Sequence, residues 1–337
     1  MADELGDYFS TAVNAIGRAQ VYVTNLVEND FEKHQSLENI RQGYQGPQFE
    51  FNDIGSSEVE NELKMSKSNK ATAWRGGLAP SFTNLYNTVI RKGNWPNTWK
   101  MRMDPCLQER RNYRPITVLN SVDKVFESLL SKQIIKTMNP HQYQKMSAYR
   151  KTHSCETTLI RLTKDWKMAA DNKEYVTVLS TDMSKAFDSL HPALMIQKLK
   201  AYGFSEKSLN LLRSFLERRR NRVKLQEAHS ARKEQKRGCR QGSSLGSLLW
   251  NLFQNDLSLR GQSANLFMYA DDHQIYTDID IDIQKAARTL RGQTEAVSTT
   301  LNGECTSQYD IIINNNYGSL EQFVEVSHIQ QHIHIYL

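Results

Sequence analysis

The feature that most constrains the fold is the ten-residue stretch FMYADDHQIY, residues 267–276. Large apolar or aromatic side chains flank two adjacent acids, Asp271 and Asp272, and this pattern predicts two short strands joined by a tight turn. Two carboxylates about 4 Å apart repel by about 4 kcal/mol at an effective dielectric constant near 20, so a positive charge is expected beside them. Either the acids serve the turn, because Asp tolerates left-handed backbone, or they belong to a metal site that needs a third carboxylate.

A candidate for the third carboxylate ends another predicted strand. YVTVLSTD, Tyr175 to Asp182, is short, β-branched and aromatic, which predicts a buried strand that closes on an acid. The chain between Asp182 and Asp271 is long enough for helices to return it, so that the two strands become neighbours. Three carboxylates can hold two divalent cations about 3.5–4 Å apart for in-line phosphoryl displacement. Mg²⁺ suits such a site because phosphate and water oxygens complete its coordination.

Composition favours a polyanionic partner without requiring one. The 337 residues contain 43 Lys and Arg against 37 Asp and Glu, a net charge of +6, and the sequence pI is about 9.0. Four scattered cysteines indicate neither a disulfide framework nor a zinc ribbon. The acidic N-terminus and the lack of a membrane-spanning apolar run predict an intracellular protein of the nucleus or cytoplasm, neither secreted nor bound to a membrane.

The predicted elements alternate in a way that is typical of an α+β fold. Apolar periodicity predicts helices from Pro80 to Gly93, with Phe82, Leu85, Tyr86 and Val89 on one face, from a Ser121 cap to Asn139, and from Ser154 to Trp166. After the strand that ends at Asp182 come two helices, a strand at VKLQ, the apolar helix SSLGSLLWNLFQNDL and, last, the hairpin. This order predicts a small antiparallel sheet with helices on one face. Residues 1–75 are polar and weakly periodic, and we interpret them as an extension outside the core.

Several stretches resemble the motifs of one enzyme family. STDMSKAFDSLHPAL, GCRQGSSLGSLLWNLFQNDL and FMYADDHQIY, in that order, resemble successive motifs of the reverse transcriptases of non-LTR retrotransposons (LINE elements), particularly the jockey-like group. NYRPITVLNSVDKVFESLLSKQI and YQKMSAYRKTHSCETTLI are similar to the preceding fingers motifs. The resemblance runs from about Glu58 to Asp278. It implies an N-terminal extension at 1–75, partial and mostly helical fingers at 76–174, a polymerase palm at 175–285 and a divergent C-terminal tail at 286–337.

The resemblance also implies roles for individual residues. The metal ligands would be Asp182, the backbone carbonyl of Met183, Asp271 and Asp272, holding two Mg²⁺ or Mn²⁺ ions, and the three acids would be catalytic. Residues matching the nucleotide-binding positions of the family are Arg114, Phe187, Gln241, Gly242 and Tyr269. Phe187 would gate the sugar 2′-position or simply belong to the core, and Tyr269 would lie beside the primer terminus or be an ordinary strand aromatic.

Departures from the family pattern predict a truncated copy. MRMDPCLQERRNYRPI lacks the usual apolar strand and its lysines, and beyond Asp278 no thumb is recognisable. Arg240 and Ser247 replace the usual prolines, so we expect a less rigid loop there. The basic run ERRRNRVK, from Glu217, either places arginines at a helix C-terminus, where they complement the dipole, or serves template contact or nuclear import.

We therefore predict an RNA-directed DNA polymerase domain that acts on an RNA template, a DNA primer and dNTPs. Truncation would reduce or abolish its activity. Two alternatives stay open. One is a catalytically dead nucleic-acid-binding remnant or pseudogene product. The other is an RNA-dependent RNA polymerase, against which Phe187 argues. The sequence does not specify an oligomeric state.

Overall fold

The chain divides into two compact units. One comprises residues 1–141 and 187–250, and the other comprises residues 142–186 and 251–337. The structure, a computed structural model, describes residues 3–4, 31–65, 77–105, 119–172, 175–182, 186–225, 228–240, 242–259, 264–279, 309–313 and 333–336. Helices and strands both contribute to the described part, so the α+β class is confirmed. The assignment of palm, fingers and tail boundaries stays a prediction.

The elements are labelled in chain order. The described α-helices are α1 (Gln35–Gly43), α2 (Ser56–Met65), α3 (Ala79–Lys92), α4 (Asn97–Lys100), α5 (Ser121–Met138), α6 (Cys155–Asp171), α7 (Ala186–Ser189), α8 (Pro192–Ala201), α9 (Glu206–Leu216) and α10 (Ser244–Gln254). Short 3-10 segments are Phe31–Lys33, Asn139–His141 and Asn255–Leu259. The described strands are β1 (Met101–Pro105), β2 (Tyr175–Asp182), β3 (Arg219–Leu225), β4 (Ala228–His229), β5 (Lys233–Gln235), β6 (Asn265–Tyr269), β7 (Asp272–Ile279), β8 (Tyr309–Ile313) and β9 (Ile333–Tyr336).

The predicted helices form, with corrections at their ends and faces. Asn120, not Ser121, caps α5, because its side chain accepts a hydrogen bond from the backbone N–H of Val122. Helix α3 ends at Lys92 and is capped by Gly93, whose φ of 60° is the left-handed conformation that glycine favours. Its buried face includes Tyr86, Val89 and Ile90, whereas Leu85, predicted on that face, is exposed. Helix α6 continues five residues beyond the predicted end at Trp166, to Asp171.

Residues 31–65 contribute to the core of the first unit. Phe31, Leu37, Ile40, Phe49, Phe51, Ile54, Val59 and Leu63 are all buried. The backbone pairs Phe49 with Phe204, just before α9, and the N–H of Phe51 donates to the hydroxyl of Ser208 at 2.9 Å. The interpretation of this stretch as an extension outside the core is therefore wrong. Its apolar residues are too sparse for local periodicity, and they are buried through contacts with α8 and α9 that lie far along the chain.

The first unit also contains a small mixed sheet. Strand β3 pairs with β1 in parallel and with β4 and β5 in antiparallel register. Strand β1 was not predicted, because Met101–Pro105 holds no β-branched residue and ends in proline, so only its pairing with β3 makes it a strand. The basic run from Glu217 lies mainly on β3, since α9 ends at Leu216. The alternative that these arginines end a helix therefore fails for most of them.

The second unit contains a five-stranded sheet in the order β6-β7-β2-β8-β9. The predicted strand, Tyr175–Asp182, and the predicted hairpin are both confirmed as β2 and β6–β7. Pairing is antiparallel except between β8 and β9, which are parallel. The hairpin is not the last element, since β8 adds beside β2. The prediction of a single antiparallel sheet is therefore corrected to two sheets, each with one parallel pair.

Helix α6 packs on one face of the five-stranded sheet. Its buried residues Leu162 and Ala169 join Val176, Val178, Phe267 and Tyr276 in one apolar cluster, against which Trp166 also packs. Alternate positions on β2 face α6, as the two-residue period of a strand requires. Burial of these side chains therefore fixes which face of β2 lies inward. None of the described helices is both long enough and apolar enough to cross a membrane.

Candidate active site

The backbone places the predicted acids side by side in the second unit. Strand β2 pairs with β7 so that Asp182 lies directly opposite Asp272. Residues opposite each other in an antiparallel pair have Cβ atoms about 4.5–5.5 Å apart. Asp271 precedes Asp272 in the hairpin turn. Two segments that are far apart in the sequence thus bring three acidic residues to one end of the sheet.

The hairpin turn contains only two residues, Ala270 and Asp271, because Tyr269 already pairs with Asp272. Ala270 has a φ of 57°, the left-handed conformation that short hairpin turns demand and that costs a non-glycine residue about 1–2 kcal/mol. Asp271 is half-buried and Asp272 is exposed. Asp272 is therefore open to solvent, whereas the protein partly covers Asp271.

A buried polar pair supports the turn from behind. The amide of Gln254, at the end of α10, donates to the carbonyl of Ala270 at 3.0 Å. The Nε2 atom of His273 lies 3.0 Å from the Oε1 atom of Gln254. Because Oε1 is an acceptor, His273 donates here from Nε2. Burial lowers the pKa of His273 to about 4, so the imidazole is neutral at physiological pH. Sequence reasoning missed this pair, although its polar side chains interrupt two strongly apolar segments.

The edge of the hairpin is fixed by a neighbouring segment. The N–H of Met268 donates to the carbonyl of Lys145 at 3.0 Å, and the N–H of Ser147 donates to the carbonyl of Met268 at 2.9 Å. These bonds occupy outward-facing groups of β6 that an edge strand otherwise leaves unpaired. The hairpin is therefore held on both sides, by β2 on one side and by residues 145–147 on the other.

The donor types at this end of the sheet fit a hard divalent cation. Carboxylate oxygens are the ligands that Mg²⁺ prefers, and adjacent acids are stabilised when a cation offsets their repulsion. The side chain of Asp182 and the whole of Met183 lie outside the described residues. Among the side chains that the structure describes, no group of three or more His, Cys, Asp or Glu converges on one point.

The first unit contains the loop before α10, which holds Gly242. Gly242 is exposed, with a φ of 86°. Gln241, like Arg114, lies outside the described residues. Arg240 is fully buried and donates hydrogen bonds to Asp123 and Glu127 of α5 and to the carbonyl of Trp99 at 3.1 Å. The expectation of a looser loop is therefore wrong at this position, because the arginine ties the loop to α5.

A second arginine holds the segment just before that loop. Arg219, fully buried at the start of β3, donates to the carbonyls of Leu216, Arg237 and Gly238. Burial lowers the pKa of Arg219 to about 10, which leaves it charged at neutral pH. Since Leu216 is the last residue of α9, this arginine of the basic run does complement a helix C-terminus. The neighbouring positions of the run lie on a strand.

Phe187 packs within the first unit. Its ring stacks on that of Trp250, with centroids 5.6 Å apart and an interplanar angle of 29°, and it is half-buried. The N–H of Cys239 donates to the carbonyl of Phe187 at 2.8 Å. Gly238 lies so close that a Cβ there would be 2.9 Å from the Cα of Asp188. Phe187 thus has a packing role, and its remaining exposed edge leaves a gating role open.

Comparison with known proteins identifies the class. Residues 91–310 match the family described as reverse transcriptase (RNA-dependent DNA polymerase), which is more than half of the chain. The chain therefore belongs to the reverse transcriptase family, and the resemblance drawn from the motifs is confirmed.

The relatives come from transposable elements. A probable RNA-directed DNA polymerase from transposon X-element of Drosophila melanogaster is 34% identical over 212 residues, covering 56% of this chain and 22% of that protein. A probable RNA-directed DNA polymerase from transposon BS of the same organism is 31% identical over 208 residues, with the same two coverages. The RNA-directed DNA polymerase from mobile element jockey, also of Drosophila melanogaster, is 26% identical over 214 residues, covering 57% of this chain and 23% of that protein. The chain thus aligns with less than a quarter of the length of each relative.

Proposed function

We propose that this chain is an RNA-directed DNA polymerase domain that joins a dNTP to a primer 3′-hydroxyl on an RNA template. Membership of the reverse transcriptase family supports the reaction class. The observation that carries the proposal is the β2–β7 register, which sets Asp182 opposite Asp272 and next to Asp271.

The three acids would hold divalent cations in this scheme. Asp182, Asp271 and Asp272, with the carbonyl of Met183, supply the hard oxygen ligands. When bound, two Mg²⁺ or Mn²⁺ ions stabilise charge on the attacking and leaving oxygens of an in-line displacement. The protein contributes by holding these oxygen ligands in position. The two-residue turn fixes the directions of Asp271 and Asp272, and the bond from Gln254 to the carbonyl of Ala270 holds the turn against the sheet.

The substrate contacts belong to the same proposal. Arg114 would grip the triphosphate, since a guanidinium binds phosphate oxygens in a fork. Phe187 would exclude the 2′-hydroxyl of a ribonucleotide, Gln241 and Gly242 would lie against the template and nucleotide, and Tyr269 would contact the primer terminus. The RNA template would be bound mainly through its backbone and A-form shape.

Primer extension on an RNA template tests the proposal. The wild-type chain should incorporate dNTPs in a Mg²⁺-dependent manner, and Asp271→Asn should lower the rate at least about 100-fold, since metal-borne charge stabilisation is worth several kcal/mol. Asp171→Asn, which removes an exposed acid at the end of α6, is the matched control and should keep the wild-type rate. Circular dichroism spectra should show that both variants fold.

Three outcomes would reject parts of the proposal. Equal incorporation by Asp271→Asn and the wild type would remove Asp271 from catalysis. Salt-dependent binding of RNA without any incorporation by the wild type would favour a catalytically dead nucleic-acid-binding remnant. A preference for ribonucleotides would favour an RNA-dependent RNA polymerase.

A further inference from the structure

The second unit has a concave basic site that none of the roles proposed above uses. A cavity of about 370 Å³ is lined by Lys145, Arg150, Arg161, Lys164, Asp165 and Phe267. Four cations therefore face a single acid. This volume would hold on the order of ten water molecules, enough for a phosphate group with its attached sugar.

Three of the four cations are held in place by the protein. Lys145 bonds to Asn265 at 2.8 Å and its ammonium group lies 4.8 Å from the centroid of the Phe267 ring. Arg150 donates to the carbonyls of Tyr143 and Met146 at 2.8 and 2.9 Å. Arg161 donates to the carbonyl of Gln144 at 3.2 Å. A site whose charges are fixed before binding loses less side-chain entropy when it takes a ligand.

The single acid does not neutralise this charge. Asp165 lies 3.6 Å from the ammonium group of Lys145, and it also accepts a hydrogen bond from the hydroxyl of Tyr276. Burial and the nearby charge of Arg161 lower the pKa of Arg150, which is the expected direction when like charges crowd together. An anion in the cavity would relieve that repulsion.

The cavity lies on the same strand as a residue of the candidate active site. Phe267 and Tyr269 are two positions apart on β6, so they share a face of the sheet at a spacing of about 7 Å. Tyr269 pairs with Asp272. The wall of the cavity therefore lies two residues along β6 from the residue that pairs with Asp272, close enough for one bound strand to reach both.

We propose that Lys145, Arg150, Arg161 and Lys164 form a phosphate-binding site for the backbone of a nucleic-acid strand that passes the Asp271–Asp272 hairpin. The inference deepens the proposed function and rests on it for the identity of the strand. The shared chemistry is phosphate, which a free nucleotide or pyrophosphate would also supply. Arginine favours phosphate because its planar donors bind two oxygens at once.

Binding of a fluorescently labelled single-stranded RNA, measured by anisotropy in EDTA as a function of salt, tests the site separately from catalysis. In the double variant Arg161→Gln/Lys164→Gln, affinity near physiological salt should fall about tenfold, and the slope of log affinity against log salt should become less negative by about 1.4. The matched control Lys136→Gln/Lys167→Gln removes the same charge at exposed positions outside the cavity and should bind like the wild type.

Two further variants separate binding from folding. Lys164→Gln alone, at an exposed helical position, should lower the affinity about threefold to fourfold. Arg161→Lys/Lys164→Arg, which keeps both charges, should restore most of the binding. Thermal melting followed by circular dichroism should give the same transition for these variants and the wild type.

Competitors identify the source of the phosphate. The competition is measured at constant ionic strength. If pyrophosphate fails to displace the RNA, the site binds a nucleic-acid strand. If pyrophosphate displaces the RNA from the wild type but not from the double variant, the site binds a free phosphate compound. Equal affinities of the double variant and its control would overturn the inference, even if the chain polymerises. So would displacement of the RNA by polyglutamate as effectively as by unlabelled RNA, since that would mean general attraction of anions. Loss of binding in the double variant of a chain that never incorporates dNTPs would support the site while the proposed function fails.

Discussion

Arg240 and Asp123 form an ion pair across 117 positions of the chain, and both side chains are at most 1% exposed. Glu127, one turn further along α5, accepts a hydrogen bond from the same guanidinium group at 3.0 Å. Two further donors complete the network. The indole N–H of Trp95 donates to Asp123 at 3.0 Å, and the hydroxyl of Ser243 donates to Glu127. The loop before α10 is therefore attached to α5 through buried charged side chains.

Arg240→Met should lower the free energy of unfolding by about 3–5 kcal/mol, because it leaves two buried carboxylates without their cation. Urea denaturation followed by circular dichroism measures the change. The control is Arg91→Met, which breaks the exposed Arg91–Asp53 pair and should cost less than about 1 kcal/mol. A triple variant that also carries Asp123→Leu and Glu127→Met should recover much of the loss. Similar small losses for Arg240→Met and Arg91→Met would mean that the buried network contributes little.

Gly238→Ala should destabilise the first unit by more than about 2 kcal/mol. Gly238 has a φ of 85°, and an added Cβ would lie 2.9 Å from the Cα of Asp188 and 3.0 Å from the carbonyl oxygen of Phe187. Left-handed backbone alone costs alanine about 1–2 kcal/mol, and the contacts with backbone atoms add to it. The midpoint and slope of urea denaturation give the change. Gly77→Ala, where the added Cβ meets nothing within 4 Å, is the control and should stay within about 0.5 kcal/mol of the wild type.

The free energy of unfolding should fall as the pH drops from about 6.5 toward 4, in part because His191 takes up a proton more readily in the unfolded chain. Burial, with the charge of Arg237, lowers the pKa of His191 to about 4 in the folded chain, against an ordinary value of 6.5. The unfolded chain therefore binds more protons in this window, and acid favours it. His191→Gln should remove about 1 kcal/mol of the loss between pH 7.5 and pH 5, after allowance for partial exposure. His229→Gln, at an exposed position, should leave the pH dependence unchanged, and a wild-type profile in the His191 variant would contradict the assignment.

Phe187→Val should raise the ratio of ribonucleotide to deoxynucleotide incorporation about tenfold or more, if the ring excludes the 2′-hydroxyl group. Single-nucleotide extension with matched dNTP and rNTP measures the ratio. The same variant loses the ring contact with Trp250, so its unfolding free energy should fall by roughly 1–3 kcal/mol. An unchanged ratio together with that loss of stability would assign Phe187 to packing alone.

Local residue type predicted the parts of the fold that depend on local structure. Strand β2 has its predicted bounds. The hairpin forms where aromatic residues flank the two acids, but it runs from Asn265 to Ile279 and so extends beyond the predicted 267–276 at both ends. Helices α8 and α9 carry their own start signals, Pro192 and Ser205. The adjacency of Asp182 to the hairpin was a hypothesis from spacing, and it required a β2–β7 register that no local pattern specifies.

The features that the sequence did not reveal depend on distant partners. Asp123, Glu127 and Arg240 are charged, so a pattern of polar and apolar residues places them on the surface. Their burial goes with pairing, since Arg240 bonds to both carboxylates. Strand β1 exists because β3 pairs with it, and β8 because it adds to the free edge of β2. Such pairings could be found only from a set of related sequences or from the folded chain.

The alanine at the tip of the β6–β7 hairpin has a consequence for how sharply the neighbouring acids are aimed. Glycine would adopt the positive φ of Ala270 with less strain, but it would also sample many other conformations, and each would swing Asp271 to a different place. Alanine has fewer accessible backbone conformations. The strain at Ala270 is therefore accompanied by a narrow range of directions for the carboxylate of Asp271. A hairpin built in this way is suited to presenting a charge at one repeatable point in space rather than to bending around its ligand.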